Sequence, residues 1–176
     1  MISRRARRGR LVAGVVVLCL VALVAATAAL FIWPSGDRPR PADAVIVLGG
    51  DGPRLARGEA IVRSGLARTL AVSVASPFDS CWHRHPTYPL ICFKPQPLTT
   101  QGEGRWIAAT ARARGWRDVI VVVSDPQLVR ARLRIRRCYH DGLQMVAVRV
   151  GLRRRVSDSI YEWGALMKAL VVQRGC

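Results

Sequence analysis

Lysine is almost missing from this 176-residue chain: Lys94 and Lys168 are the only two, so 26 of its 28 basic residues are arginines. Acidic residues are scarce, eleven in all, and none precedes Asp37. The formal net charge is +17 at pH 7. An arginine-heavy composition follows in part from the base composition of a genome. The remaining imbalance describes a surface drawn to anionic partners, whether lipid headgroups, anionic wall polymers or nucleic acid. Other things are absent too. No G-x-G-x-x-G occurs, so the dinucleotide-binding fingerprint is not met. No Ser-His-Asp arrangement and no histidine cluster with metal-ligand spacing is present, so nothing in the pattern argues for a catalytic triad or a metal centre. No cofactor is identified by any motif.

Charge is also absent from Leu11 to Trp33, a run of 23 residues. At a helical rise this run reaches about 34 Å, slightly more than the hydrocarbon thickness of a bilayer. Five arginines (Arg4, Arg5, Arg7, Arg8, Arg10) stand before it and predict a cytoplasmic N-terminus by the positive-inside rule. Residues 1–10 then form a basic cytoplasmic tail, 11–33 a signal anchor and 34–42 a stiff linker that lifts the following domain, 43–176, off the membrane. The alternative is a signal peptide cleaved near Ala26-Thr27-Ala28. The apolar run continues past that point to Trp33, which favours the uncleaved anchor. The expected location is a single-pass plasma-membrane protein with its domain outside the cytoplasm. The 23 basic and 11 acidic residues beyond the run leave that domain at +12. Outside the cytoplasm this charge meets membrane lipid or anionic envelope polymers, and nucleic acid is excluded as a partner.

The same placement decides the cysteines. Cys19 lies within the apolar run and serves as a small apolar residue. Cys81, Cys92, Cys138 and Cys176 form an even set in an oxidising compartment, which predicts disulfides. Three pairings are possible, of which Cys81–Cys92 and Cys138–Cys176 are preferred. Cys81, His83 and His85 suggest zinc only superficially, because no second half with structural-zinc spacing follows. No metal is expected.

In the domain, Ala44–Leu48 and Val119–Val123 are continuous apolar runs rich in β-branched residues, the signature of buried parallel strands. Further strands are predicted at Thr69–Ala75 and Leu143–Val150. Helices are predicted at Pro53–Ser64, from about Thr99 to Arg114, Pro126–Tyr139 and Ser157–Val172. Ser76–Pro97, with four prolines, reads as irregular. Thr100 and Glu103 have capping-box spacing. Arg130, Arg134 and Arg137 share one helix face, the usual mark of a solvated surface. Ile160, Trp163, Met167 and Leu170 are core candidates of the last helix. Alternating strands and helices predict a Rossmann-like, doubly wound α/β fold, a mostly parallel sheet with helices on both faces. Ligands bind such sheets at the carboxyl ends of the strands. Three segments are expected to converge there: Gly49, Gly50, Asp51 and Arg54 after the first strand; Thr100 and Glu103 at a helix start; and Ser124, Asp125, Gln127 and Arg130 after the central strand.

These segments, in this order, resemble the YdcF/SanA/ElyC family of bacterial envelope-associated proteins, over roughly residues 42–150. The carriers are Ala42-Asp43-Ala44-Val45-Ile46-Val47-Leu48-Gly49-Gly50 with Arg54 after it, Gly65-Leu66-Ala67-Arg68, Thr99-Thr100-Gln101-Gly102-Glu103, and Ser124-Asp125 with Arg130-Ala131. Gln127 stands where the family usually has histidine, so no imidazole role is carried over. The resemblance implies a Rossmann-like fold and a part in envelope maintenance or wall biogenesis, and no particular reaction. The expected function is binding of an anionic, phosphate-bearing ligand, lipid-linked or polymeric. The alternatives are a hydrolase or transferase acting on such a ligand, and a non-catalytic membrane scaffold.

Overall fold

A computed structural model describes residues 4–50, 52–76 and 78–176. The first helix, α1 (Arg4–Thr27), ends in a π-helical turn, Ala28–Ile32. Within it, Arg7–Ile32 is long and apolar enough to cross a membrane. Its side chains from Leu11 to Val24 are exposed.

The rest is one parallel sheet with its crossover helices. In chain order these are β1 (Ala44–Val47), α2 (Gly52–Arg63), β2 (Thr69–Ser73), β3 (Leu90–Phe93), α3 (Thr100–Arg114), β4 (Asp118–Ser124), α4 (Leu128–Arg136), β5 (Gly142–Val148) and α5 (Leu152–Val171). The spatial order is β3-β2-β1-β4-β5, every pair parallel. The Rossmann-like α/β architecture expected from the sequence is therefore present.

β1 and β4 lie at the centre and are buried on both faces, which explains their unbroken apolar runs. On one face Ile46, Val121 and Met145 meet Ile107 of α3 and Ile135 of α4. On the other, Val45, Leu70 and Ile120 meet Ile61 and Val62 of α2. Gly58 lets α2 approach the sheet closely, since a Cβ there would come within 2.4 Å of Val47. Asp43 ties the starts of the two central strands together, its carboxylate accepting from the backbone N–H groups of Arg117 and Asp118 at 2.7 and 2.9 Å.

Four expectations are corrected. The stretch 76–97 is not wholly irregular: Leu90–Phe93 forms the edge strand β3, paired with β2. Residues 34–41, expected as a stiff stand-off linker, are packed on the domain. They run along the outer edge of β5, where Asp37 N–H donates to Met145 O and Asp37 Oδ2 accepts from Met145 N–H, both at 2.7 Å, and Arg40 N–H reaches Gln144 Oε1. An open sheet edge needs such partners, and the linker supplies them. The buried face of α5 is rotated from the expected one. Ser159, Glu162, Leu166 and Ala169 face inward, while Ile160, Met167 and Leu170 are exposed. Finally, Arg130, Arg134 and Arg137 are not a solvated face. Arg134 is buried and bonds Gln101 and Gln173, and Arg137 bonds the carbonyls of Ala169 and Gln173.

Both preferred disulfides are present, Cys81–Cys92 and Cys138–Cys176. The first joins the turn Ser80–His83 to β3, and the second fastens the chain's last residue beside the end of α4. Cys19 is unpaired on α1.

Candidate ligand site at the carboxyl edge of the sheet

The winding of the sheet reverses between β1 and β4. From β1 the chain proceeds outward through α2 to β2 and β3, then crosses by α3 to β4 and continues outward to β5. Loops therefore diverge over that point and leave a crevice. A cavity of about 240 Å³ opens there, lined among others by Gly49, Arg54, Ser73, Leu98, Thr100, Glu103 and Gln127.

Each polar group is placed by local structure. Gly49 has φ +61°, a left-handed conformation that turns the chain from β1 toward α2, and the Arg54 guanidinium lies directly over it. Gly50 is packed against β2, where a Cβ would come within 2.0 Å of Val72 Cγ1, and its N–H donates to Ser73 O at 2.9 Å. It positions the loop and does not line the cavity. α3 begins one residue earlier than its capping-box spacing predicts. Thr99 is the cap and accepts from Gly102 N–H at 3.4 Å. Thr100 and Glu103 are thus released from capping, and Glu103 projects into the crevice.

Glu103 is almost fully buried. Burial pushes its carboxyl above the usual range, against the opposing influence of hydrogen bonding from Ser73, the charges of Arg130 and Arg54, and Thr100. Arg130 lies outside this lining and borders a neighbouring cavity. It forms a two-pronged pair with Glu162 of α5, Nε to Oε2 at 2.6 Å and Nη2 to Oε1 at 2.8 Å, while Nη1 donates to Thr100 Oγ1 at 3.1 Å. Burial works against its charge, but the bonds and charge of Glu162 prevail and raise its pKa. A second cavity, about 260 Å³, lies beyond Thr99 and Thr100, between Arg130, Arg134, Tyr161 and Lys168.

Of the residues expected at the site, Gly49, Arg54, Thr100, Glu103 and Gln127 line one cavity, whereas Arg130 lies outside it and reaches it only through its bond to Thr100. Ser124 lies at the end of β4 outside the lining. Asp125 also lies outside it: its carboxylate pairs with Arg155 at 3.1 Å and accepts from Val150 N–H at 3.1 Å. Asp51 falls outside the described residues. Ser73 and Leu98 were not anticipated. Ser73 ends β2 and so shares the carboxyl edge, a signal readable once β2 is assigned. Leu98 carries no such signal. Among the described residues no group of acids, histidines and cysteines is placed to hold a metal ion.

Comparisons with family models, with curated proteins and with solved structures return no match.

Proposed function

We propose that this is a membrane-anchored envelope protein whose extracytoplasmic domain binds an anionic, phosphate-bearing ligand in the crevice over β1 and β4. One observation carries the reading. Gly49, Arg54, Thr100, Glu103 and Gln127, from three separate segments, line a single cavity at the switch point of the sheet. Arg54 supplies charge, Thr100 and Gln127 supply hydrogen bonds, and burial, by raising the Glu103 pKa, favours the protonated form that can donate one to an anionic oxygen. The resemblance to the YdcF/SanA/ElyC family over residues 42–150 points to the same setting. So do the apolar helix at the N-terminus, the arginines before it, which by the positive-inside rule favour a cytoplasmic N-terminus, and the two disulfides.

Titration of the full chain, in mild detergent, with inorganic phosphate and with a short prenyl phosphate tests this. We expect binding, and a loss of about tenfold or more in Arg54→Ala, the share of one charge-assisted hydrogen bond. Unchanged affinity in Arg54→Ala, with circular dichroism unaltered, ends the reading. Protease added outside intact cells should remove the domain and spare an N-terminal tag.

Glu103 favours a second reading as well. A buried carboxyl with a raised pKa in a cleft is suited to act as a general acid, which would make the protein a hydrolase or transferase of the same ligand. Turnover of phosphate esters by the wild-type chain and its absence in Glu103→Gln distinguish this from binding alone.

A further inference from the structure

We infer that α5 lies in the membrane interface, its exposed apolar stripe sunk among the headgroups beside the point where α1 enters the bilayer. This rests on the reading of α1 as a membrane span. Two independent observations lead to it. The first is where α1 meets the domain. Trp163 Nε1 donates to Thr27 Oγ1 at 3.0 Å, the Trp163 and Phe31 rings pack edge to face, and Arg155 Nη1 donates to Ile32 O at 3.0 Å. Thr27, Phe31 and Ile32 all belong to the apolar segment Arg7–Ile32. A helix touching the last turns of a span sits at the bilayer boundary. The stand-off that a free linker would give is removed, because residues 34–41 are laid along β5.

The second is the surface of α5 itself. Leu152, Val156, Ile160, Met167 and Leu170 recur at helical spacing on one side, with Trp163 among them, and all but Trp163 are exposed, Ile160 to 80%. Arg153 stands exposed beside the stripe at the start of the helix and complements anionic headgroups. On the opposite flank, Tyr161, Ala165 and Lys168 border the second cavity, so this placement turns that cavity toward water. The position of α5 is fixed by the Arg130–Glu162 pair and by Cys176, so the stripe is presented by a rigid element.

Spin labels on the full chain in vesicles of mixed zwitterionic and anionic lipid test this, in a Cys19→Ala background with both disulfides intact. Labels are placed at Ile160→Cys, at Asp158→Cys on the other flank, and at Val16→Cys within the span. We expect the ratio of oxygen to nickel-complex collisions to be several-fold higher at Ile160→Cys than at Asp158→Cys, and highest at Val16→Cys. Equal, water-like ratios at 158 and 160 with a lipid-like ratio at 16 overturn the placement of α5 and spare the anchor. Low collision rates with both reagents at 160 identify a second protein copy covering the stripe and also overturn it. A water-like ratio at 16 overturns the anchor and the placement together.

Discussion

Glu103 holds its proton more tightly in the folded chain than in the unfolded one, because burial raises its pKa. Below the ordinary carboxylate range both states are protonated and the group does not affect stability. As pH rises past that range the unfolded chain ionises first, so stability is lost up to the raised value and stays lost above it. We expect Glu103→Gln to gain stability over wild type at pH 7 to 8 and to show no such gain near pH 4, measured by urea unfolding at each pH. Phosphate affinity should rise in the wild type as pH falls, and flatten in Glu103→Gln. Arg130 behaves differently. Its partner Glu162 is fully buried, so Arg130→Ala strands a carboxylate and should cost about 3–5 kcal/mol by thermal or chemical unfolding. An Arg130→Met/Glu162→Leu double variant should recover most of that loss. The sequence offers Arg130 for the site because it lies little more than a turn into the helix after β4, but it could not reveal Glu162. An acid on an apolar helix 32 residues away has no local signal. Arg134 and Arg137 were misread for the same reason: their partner, Gln173, lies in the closing tail.

Elements were legible where one physical cause dominates. Continuous β-branched runs identified β1 and β4, since burial on both faces leaves no polar alternation. β3 was hidden because a strand of four residues, within the five between Pro89 and Pro95, carries little periodicity, and what orders it is pairing with β2 and the stacking of Phe93 on Trp106, centroids 3.6 Å apart. α5 was recognised as a helix but its inward face was not. Apolar content ranks Ile160 and Met167 as core, whereas the half-buried Arg130 draws Glu162 inward. Close approach at α3 is testable. A Cβ at Gly102 would come within 1.9 Å of Pro97 O, so the backbone before α3 must shift. We expect Gly102→Ala to lose about 1–3 kcal/mol or more and to weaken phosphate binding, because the shift moves Thr100 and Glu103. Gly164→Ala, where nothing lies within 4 Å, should instead gain about 0.5–1 kcal/mol of helix stability. Denaturation curves of the two variants, run side by side, measure both.

At the scale of the whole molecule, the two disulfides divide the labour between sheet and tail. Cys81–Cys92 closes 11 residues within the loop that leads to β3, and Cys138–Cys176 closes 38 residues that include all of β5 and α5. If loop-closure entropy in the unfolded chain governs, replacing the first pair by alanine costs about 3 kcal/mol and the second about 4 kcal/mol. The site responds differently from the fold. Arg54, Thr100 and Glu103 lie on α2 and α3, outside the Cys138–Cys176 loop, whereas the tail that Cys176 fastens receives Arg134 and Arg137 through Gln173. We therefore expect Cys138→Ala/Cys176→Ala to lower the midpoint of chemical unfolding markedly while phosphate affinity, measured well below that midpoint, stays within about twofold, under 0.5 kcal/mol. A parallel tenfold fall in affinity would mean that the tail, and not the switch point of the sheet alone, holds the site in place.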